Sequence, residues 1–281
     1  MVSLYQEARA ALRQSDFKPR KKLGQHFLVH EGVLESILRL VGLSAEDEIL
    51  EIGPGLGFLT RRLVERARKV WAVEVDSFLV ERLRQSPLGR HPGFDLVHGD
   101  ILKVPLETIL PDRKIKLVAN LPYSISTPVL FRLFELRDHF SFFVLMVQRE
   151  VAERMAGAPG TKSYGTLSVW CQAYGEITAR LPVPPDAFFP RPKVRSMALR
   201  IDLRPRSLIP EEDFTLFQGL VRAAFGQRRK TLQNALGAWL KDRKEEIPAL
   251  LHSQGIDPQR RGETLSIDEF IRLAAALKAE S

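Results

Sequence analysis

Cysteine is nearly absent from this chain: Cys171 is the single one in 281 residues. That excludes a disulfide framework and a thiolate metal cluster. Long apolar runs are absent too, and none approaches the roughly 20 residues that a membrane span needs. Met1 to Arg20 has neither an apolar signal-peptide core nor a cleavage site. These absences predict a cytoplasmic protein with no membrane association. Acidic residues are in deficit. Formal net charge is +8 and 27% of residues are charged, and the pI is near 9.7. The excess is clustered. Six basic residues and one acid lie between Arg9 and Lys22, and six and one between Arg191 and Arg206. From Arg222 to Lys241 there is no acid at all. Each run alone reads as a solvated face, but three acid-poor clusters in one basic chain favour a polyanion, nucleic acid above all.

What is present is an alternation of short apolar runs and helical stretches. Strands are expected at Ile49–Ile52, Val70–Val75, Phe94–His98, Ile115–Ala119 and Phe142–Val147. Helices are expected at Val33–Val41, Phe58–Arg66, Phe78–Gln85 and Thr127–Leu136. This order predicts an α/β fold, a mostly parallel sheet with helices on both faces. Gln148–Met155 and Tyr164–Ala173 read as helices, and Glu176–Val183 and Ser196–Leu203 as closing strands. Between those strands Pro182–Pro192 is too Pro-dense for sheet or helix. After Pro205, Glu211–Phe225, Lys230–Leu240, Ile247–Gln254 and Ile267–Leu277 show helical periodicity. The expected division is a mobile or lightly helical basic arm (1–22), an α/β domain (23–204) and a small all-helical domain (205–281).

Glu51-Ile52-Gly53-Pro54-Gly55-Leu56-Gly57 follows the first strand and opens a helix. Glycines there allow a tight turn and close approach of a ligand to the backbone. Their alternate spacing differs from the dinucleotide fingerprint, which disfavours an NAD oxidoreductase. Glu74 ends the second strand, where a carboxylate can accept from both ribose hydroxyls. Asp100 follows the third, where it can accept from an adenine amine. Each acid alone reads as a helix cap or loop acid. Acids at successive strand ends share the carboxyl edge of the sheet, where ligands bind. Asn120-Leu121-Pro122-Tyr123 ends the fourth strand. Its Asn oxygen and the Leu121 carbonyl are acceptors, Pro122 stiffens the turn and Tyr123 offers a flat ring. Taken alone the tetrapeptide is a strand-to-loop turn; in this company it becomes a grip for an exocyclic amine.

The glycine turn resembles that of class I S-adenosylmethionine-dependent methyltransferases. In order and spacing, the whole set resembles one family, the KsgA-type (RsmA) ribosomal RNA adenine dimethyltransferases. The resemblance runs from about Lys21 to the C-terminus. It includes Lys22-Leu23-Gly24-Gln25-His26-Phe27-Leu28, Phe189-Pro190-Arg191-Pro192-Lys193-Val194-Arg195-Ser196 and Phe225-Gly226-Gln227-Arg228-Arg229-Lys230-Thr231-Leu232. By resemblance the cofactor is S-adenosyl-L-methionine, contacted by His26, Leu28, Gly53, Gly55, Glu74, Asp100 and Asn120. His26 stands where the family often has Asn. His26 and His30 are four apart with no third ligand, so no metal is expected.

The resemblance implies transfer of methyl groups to N6 of two adjacent adenosines in the 3′-terminal hairpin loop of 16S ribosomal RNA, giving N6,N6-dimethyladenosine. The partner would be the immature small ribosomal subunit, and the protein a monomer. Asn120 and Leu121 would hold the amine while Tyr123 and Phe188 or Phe189 wall the extruded base. The alternative for either phenylalanine is a hydrophobic anchor. Arg191, Lys193, Arg195, Arg228, Arg229 and Lys230 would meet RNA phosphates, the last three from the start of a helix. Two rivals share the fold. One is the erythromycin-resistance type acting on large-subunit RNA, which the C-terminal helices disfavour. The other is a non-catalytic nucleic-acid-binding factor, which intact Asn120–Tyr123 disfavours.

Overall fold

The computed structural model describes residues 2–14, 19–20, 24–227 and 229–279. The chain forms two compact units, Met1–Ala152 with Ile177–Leu203, and Glu153–Glu176 with Arg204–Ser281. No helix among the described residues is long and apolar enough to cross a membrane.

The first unit is built on a seven-stranded sheet. Its strands are β2 (Glu48–Ile52), β3 (Lys69–Glu74), β4 (Phe94–His98), β5 (Ile115–Asn120), β6 (Phe140–Gln148), β7 (Gly175–Val183) and β9 (Ser196–Leu203), in the order β4-β3-β2-β5-β6-β9-β7. Neighbours from β4 to β6 are parallel, and β9 runs antiparallel to β6. Central β2 is buried along its whole length, as a strand covered on both faces must be. The covering helices include α2 (Glu31–Val41), α3 (Phe58–Val64), α4 (Ser77–Gln85) and α5 (Ser126–Glu135). After β4 the chain returns across the sheet to place β5 on the other side of β2. That reversal is a topological switch point, and crevices open there at the carboxyl ends of the strands. Ile52 of β2 is paired with Ala119 of β5, so Gly53 and Asn120 emerge side by side.

Two expectations from the sequence need correction. Part of the Pro-rich segment does pair: β8 (Phe188–Phe189) lies antiparallel to β1 (Phe27–Leu28), with Phe27 opposite Phe189 and Leu28 opposite Phe188. Ala187 accepts from the Val29 N–H at 2.8 Å. The prolines flank the two paired residues instead of interrupting them. The basic arm, in turn, contains a seated helix, α1 (Leu4–Gln14). Leu4, Ala8 and Leu12, four apart, join the core of this unit. Glu7 pairs with Arg61 at 3.0 Å, and the Tyr5 ring meets Phe189 edge-on at 5.2 Å. Lys18, Lys21, Lys22 and Leu23 lie outside the described residues.

The second unit is helical, comprising α7 (Thr166–Tyr174), α8 (Phe214–Gly226), α9 (Leu232–Trp239), α10 (Ile247–Ser253) and α11 (Ile267–Ala279) with the end of α6 (Arg149–Met155). It is larger than the 205–281 segment read from the sequence. Buried Tyr164 donates its hydroxyl to the Leu265 carbonyl at 2.7 Å, and Gly160 N–H donates to Glu263 at 2.8 Å. These bonds bind the earlier segment to the later helices.

Candidate active site at the tips of the central strands

Gly55 has φ +59°, and a Cβ there would come within 2.9 Å of the Phe27 ring. Only glycine allows that approach, which brings β1 against the turn. The Gly55 N–H donates to Glu74 Oε2 at 3.1 Å. Glu74 Oε1 accepts from the N–H groups of Val75 and Asp76, both at 3.0 Å. Burial pushes the Glu74 carboxyl above its ordinary value, and the charge of Asp76 adds to this against those backbone donors.

Glu51 lies deeper, 2% exposed. Burial raises its pKa to about 8, with the Thr60 hydroxyl opposing and the Glu74 charge adding. Thr60 does not complete the site, because neither Glu51 Oε2 nor Thr60 Oγ1 makes a hydrogen bond of normal geometry. Both acids line one cavity with Gly53, Gly55, His26, Leu28, Asn120, Leu121 and Tyr123. Glu51 Oε2 is thus a buried oxygen left unsatisfied, beside Glu74 in the wall of one cavity, an arrangement that costs free energy unless a ligand answers it.

Asn120 Nδ2 donates to the His26 carbonyl at 3.0 Å. A carbonyl only accepts, so the amide nitrogen faces His26 and Oδ1 faces away from it. The Leu121 N–H donates to Met146 at 3.0 Å, which fixes the peptide after β5. The Tyr123 hydroxyl shares a 2.6 Å hydrogen bond with Ser196, and burial raises its pKa. The Tyr123 ring stacks on His26 at 5.4 Å. His26 Nδ1 lies 2.7 Å from the Pro190 carbonyl and must be the donor there. His30 caps α2, its Nδ1 accepting from Val33 at 3.3 Å. The two histidines therefore serve separate segments.

The structure separates some residues that the sequence grouped. Phe188 is 2% exposed and belongs to the core, so it is the anchor and has no free face for a base. Phe189 is half-buried, packed against the core and edge-on to Tyr5. Asp100 stands at the carboxyl end of β4, where Oδ1 accepts from Leu102 at 3.0 Å. It caps its own turn and is not among the cavity-lining residues. Arg191, Lys193 and Arg195 are exposed on the segment between β8 and β9. Arg200, from the same basic cluster, is engaged by Asp202 at 2.9 Å and the Leu40 carbonyl at 2.8 Å. In the second unit Arg229 and Lys230 are exposed in the turn before α9, which begins at Leu232. They precede that helix and do not open it. Arg228 lies outside the described residues.

Residues without an assigned role in the sequence are equally part of this construction. Ser196 orients Tyr123, Thr60 lies beside Glu51, and Gln25 and Asp76 bond to each other. Glu51 and Asp76 had a visible signal, an acid at a strand end. Ser196 and Gln25 had none beyond their place in recognisable motifs.

Comparison with known proteins places the chain in a family. Residues 16–279 match the family model described as ribosomal RNA adenine dimethylase. The ribosomal RNA small subunit methyltransferase A of Geobacter metallireducens is 45% identical over 95% of this chain and 98% of its own. Its namesake from Alkaliphilus oremlandii is 40% identical over 97% and 96%. Among solved structures, a dimethyladenosine transferase from Plasmodium falciparum superposes with TM-score 0.79 at 26% identity, covering 91% of this chain and 98% of its own. The 23S rRNA methyltransferase ErmE gives 0.67 at 25% identity, covering 90% and 99%. The chain belongs to the ribosomal RNA adenine dimethylase family.

Proposed function

We propose that this enzyme transfers methyl groups from S-adenosylmethionine to N6 of two adjacent adenosines in the 3′-terminal hairpin loop of 16S ribosomal RNA. The substrate is the maturing small subunit. The observation that carries this reading is the bond from Asn120 Nδ2 to the His26 carbonyl. It leaves Asn120 Oδ1 as an acceptor for an amine hydrogen at the tip of β5, in the wall of a cavity with two buried carboxyls.

The cofactor fits the residues present. The unsatisfied Glu51 Oε2 suits a positive charge, which would favour loss of its proton, Glu74 suits ribose hydroxyls, and Gly53 and Gly55 allow close approach. When bound, the cofactor supplies a methyl group on a sulfonium, an already activated leaving group. The protein's task is then alignment. In the first transfer Asn120 Oδ1 and the Leu121 carbonyl accept the two N6 hydrogens and draw the amine toward tetrahedral geometry. The ammonium formed loses its proton to water, and one hydrogen is left to be held in the second transfer. The same dipoles stabilise positive charge developing on N6. Phe189 and Tyr123 wall the base, and stacking of about 1–3 kcal/mol per base offsets much of the cost of extrusion. Exposed Arg191, Lys193, Arg195, Arg229 and Lys230 meet phosphates.

The test offers labelled S-adenosylmethionine with undermethylated small subunits, large-subunit RNA and duplex DNA. Label should enter the small subunit alone. Label on large-subunit RNA would favour the activity named for ErmE, and none anywhere would favour a binding factor.

A further inference from the structure

Asp76 is fully buried, yet its two oxygens serve different segments. Oδ1 accepts from the Phe78 N–H at 3.0 Å and caps α4. A helix cap needs one oxygen. Oδ2 accepts from Gln25 Nε2 at 2.9 Å, across 51 positions of sequence, and lies 3.6 Å from Arg20 Nε. Gln25 Oε1 accepts from the Arg20 N–H at 2.7 Å. Both ends of the Gln25 amide are therefore used, and a flip would lose both bonds.

Gln25 sits between two residues that meet the β5 tip. Gly24, at φ +59°, lies so close that a Cβ would come 3.2 Å from the Tyr123 nitrogen. His26 gives its carbonyl to Asn120, its Nδ1 to the Pro190 carbonyl and its ring to Tyr123. On the other side, the Asp76 N–H donates to Glu74 Oε1. One run of bonds thus leads from Glu74 through Asp76, Gln25 and His26 to Asn120.

We propose that Asp76 and Gln25 are a positioning pair: they fix the Gly24–His26 segment so that the His26 carbonyl holds the Asn120 amide at the angle its target amine requires. This rests on the functional reading above and assigns residues it did not use. Gln25 lines the cavity and Asp76 lies behind it, and neither side chain is assigned a bond to the reacting atoms. Their contribution falls on the transfer rate at saturating cofactor, not on cofactor affinity.

Three variants of the full chain test it, with labelled S-adenosylmethionine and undermethylated small subunits. Asp76→Asn keeps an oxygen for the α4 cap but puts an NH2 where Gln25 needs an acceptor. Gln25→Ala leaves the cap untouched and carries the test if Asp76→Asn fails to fold. Both should lower the single-turnover rate about ten- to hundredfold, while cofactor affinity stays within about threefold of wild type. Gln25→Glu supplies the signature that loss of packing would not give. As a carboxylate it faces Asp76, with Arg20 3.6 Å from Asp76, Glu74 bonded to the Asp76 N–H, and the titratable ring of His26 next in the chain. Once protonated it donates to Asp76 again. Its rate relative to wild type should rise at least about fivefold as pH falls from about 8 to about 6.

Wild-type rates in Gln25→Ala, affinity lost with the saturated rate intact, or a flat Gln25→Glu ratio each overturn the pair. A wild-type enzyme inactive on small subunits overturns the functional reading beneath it, whereas active wild type with equally active variants overturns the pair alone.

Discussion

Replacing Glu51 by Gln should stabilise the fold in alkaline solution and leave it nearly unchanged in acid. The folded chain holds this carboxyl's proton up to about pH 8, against an ordinary value of 4.5. Below pH 4.5 both states are protonated and the group costs nothing. Between 4.5 and 8 the unfolded chain releases the proton and the folded chain keeps it. Stability therefore falls as pH rises, by about 1.4 kcal/mol per pH unit, and levels off above 8. The span from 4.5 to about 8 is about 3.5 pH units, which gives roughly 5 kcal/mol at pH 9. Glutamine has the shape of the protonated acid and no charge to release. At roughly 2–4 °C per kcal/mol, the variant should melt on the order of 10 °C above wild type at pH 9, and close to it near pH 5. Calorimetric melting of both proteins from pH 5 to 9, without cofactor, is the assay. Saturating S-adenosylmethionine should narrow the gap at pH 9 by bringing positive charge to Glu51. A wild type and variant separated by the same margin at every pH would refute the reasoning.

Phe188→Ala should cost about 3–5 kcal/mol as a core cavity. Phe189→Ala should cost far less and instead raise KM for the small subunit; the reverse pattern in melting and kinetics would exchange their roles. Tyr123→Phe removes the hydroxyl bonded to Ser196 but keeps the ring. It should lower stability by about 1 kcal/mol and hold transfer within about threefold of wild type, and a larger loss of transfer would assign chemistry to the hydroxyl. Replacing Arg191, Lys193 and Arg195 together by Ala should reduce the slope of log affinity against log salt by about 2, near 0.7 per phosphate contact on single-stranded RNA. An unchanged slope in a binding titration would remove these residues from the RNA interface.

The sheet was legible because its strands are short, largely apolar runs such as Ile115–Ala119, separated by helical spacing of ordinary length. The glycine turn and the β5 tip were legible because their residue types are uncommon together. The β1–β8 ribbon was not, because a pairing of two residues leaves no periodicity and prolines surround one partner. A light helix was among the expectations for the basic arm, but the seating of α1 was not: the apolar spacing of Leu4, Ala8 and Leu12 is sound, while the basic run beyond dominates the segment. Phe188 and Phe189 are indistinguishable as letters, and only the alternation imposed by pairing with Leu28 and Phe27 turns one inward. Asp100 has the residue type and strand-end position of a ligand group, and nothing in the sequence signals that its Oδ1 accepts from Leu102 in its own loop. Burial made the deepest difference. Glu51 was visible as a strand-end acid, but its unsatisfied Oε2 and its raised pKa follow from what surrounds it in space.

The measurement closest to the central claim is mass spectrometry of the 3′-terminal hairpin from undermethylated small subunits treated with wild type or Asn120→Ala, at matched cofactor occupancy. Wild type should give N6,N6-dimethyladenosine at two adjacent positions. Asn120→Ala should give almost none, although titration shows the cofactor still bound. Dimethylated product from the variant at the wild-type rate, or a single modified adenosine from wild type, would contradict that claim.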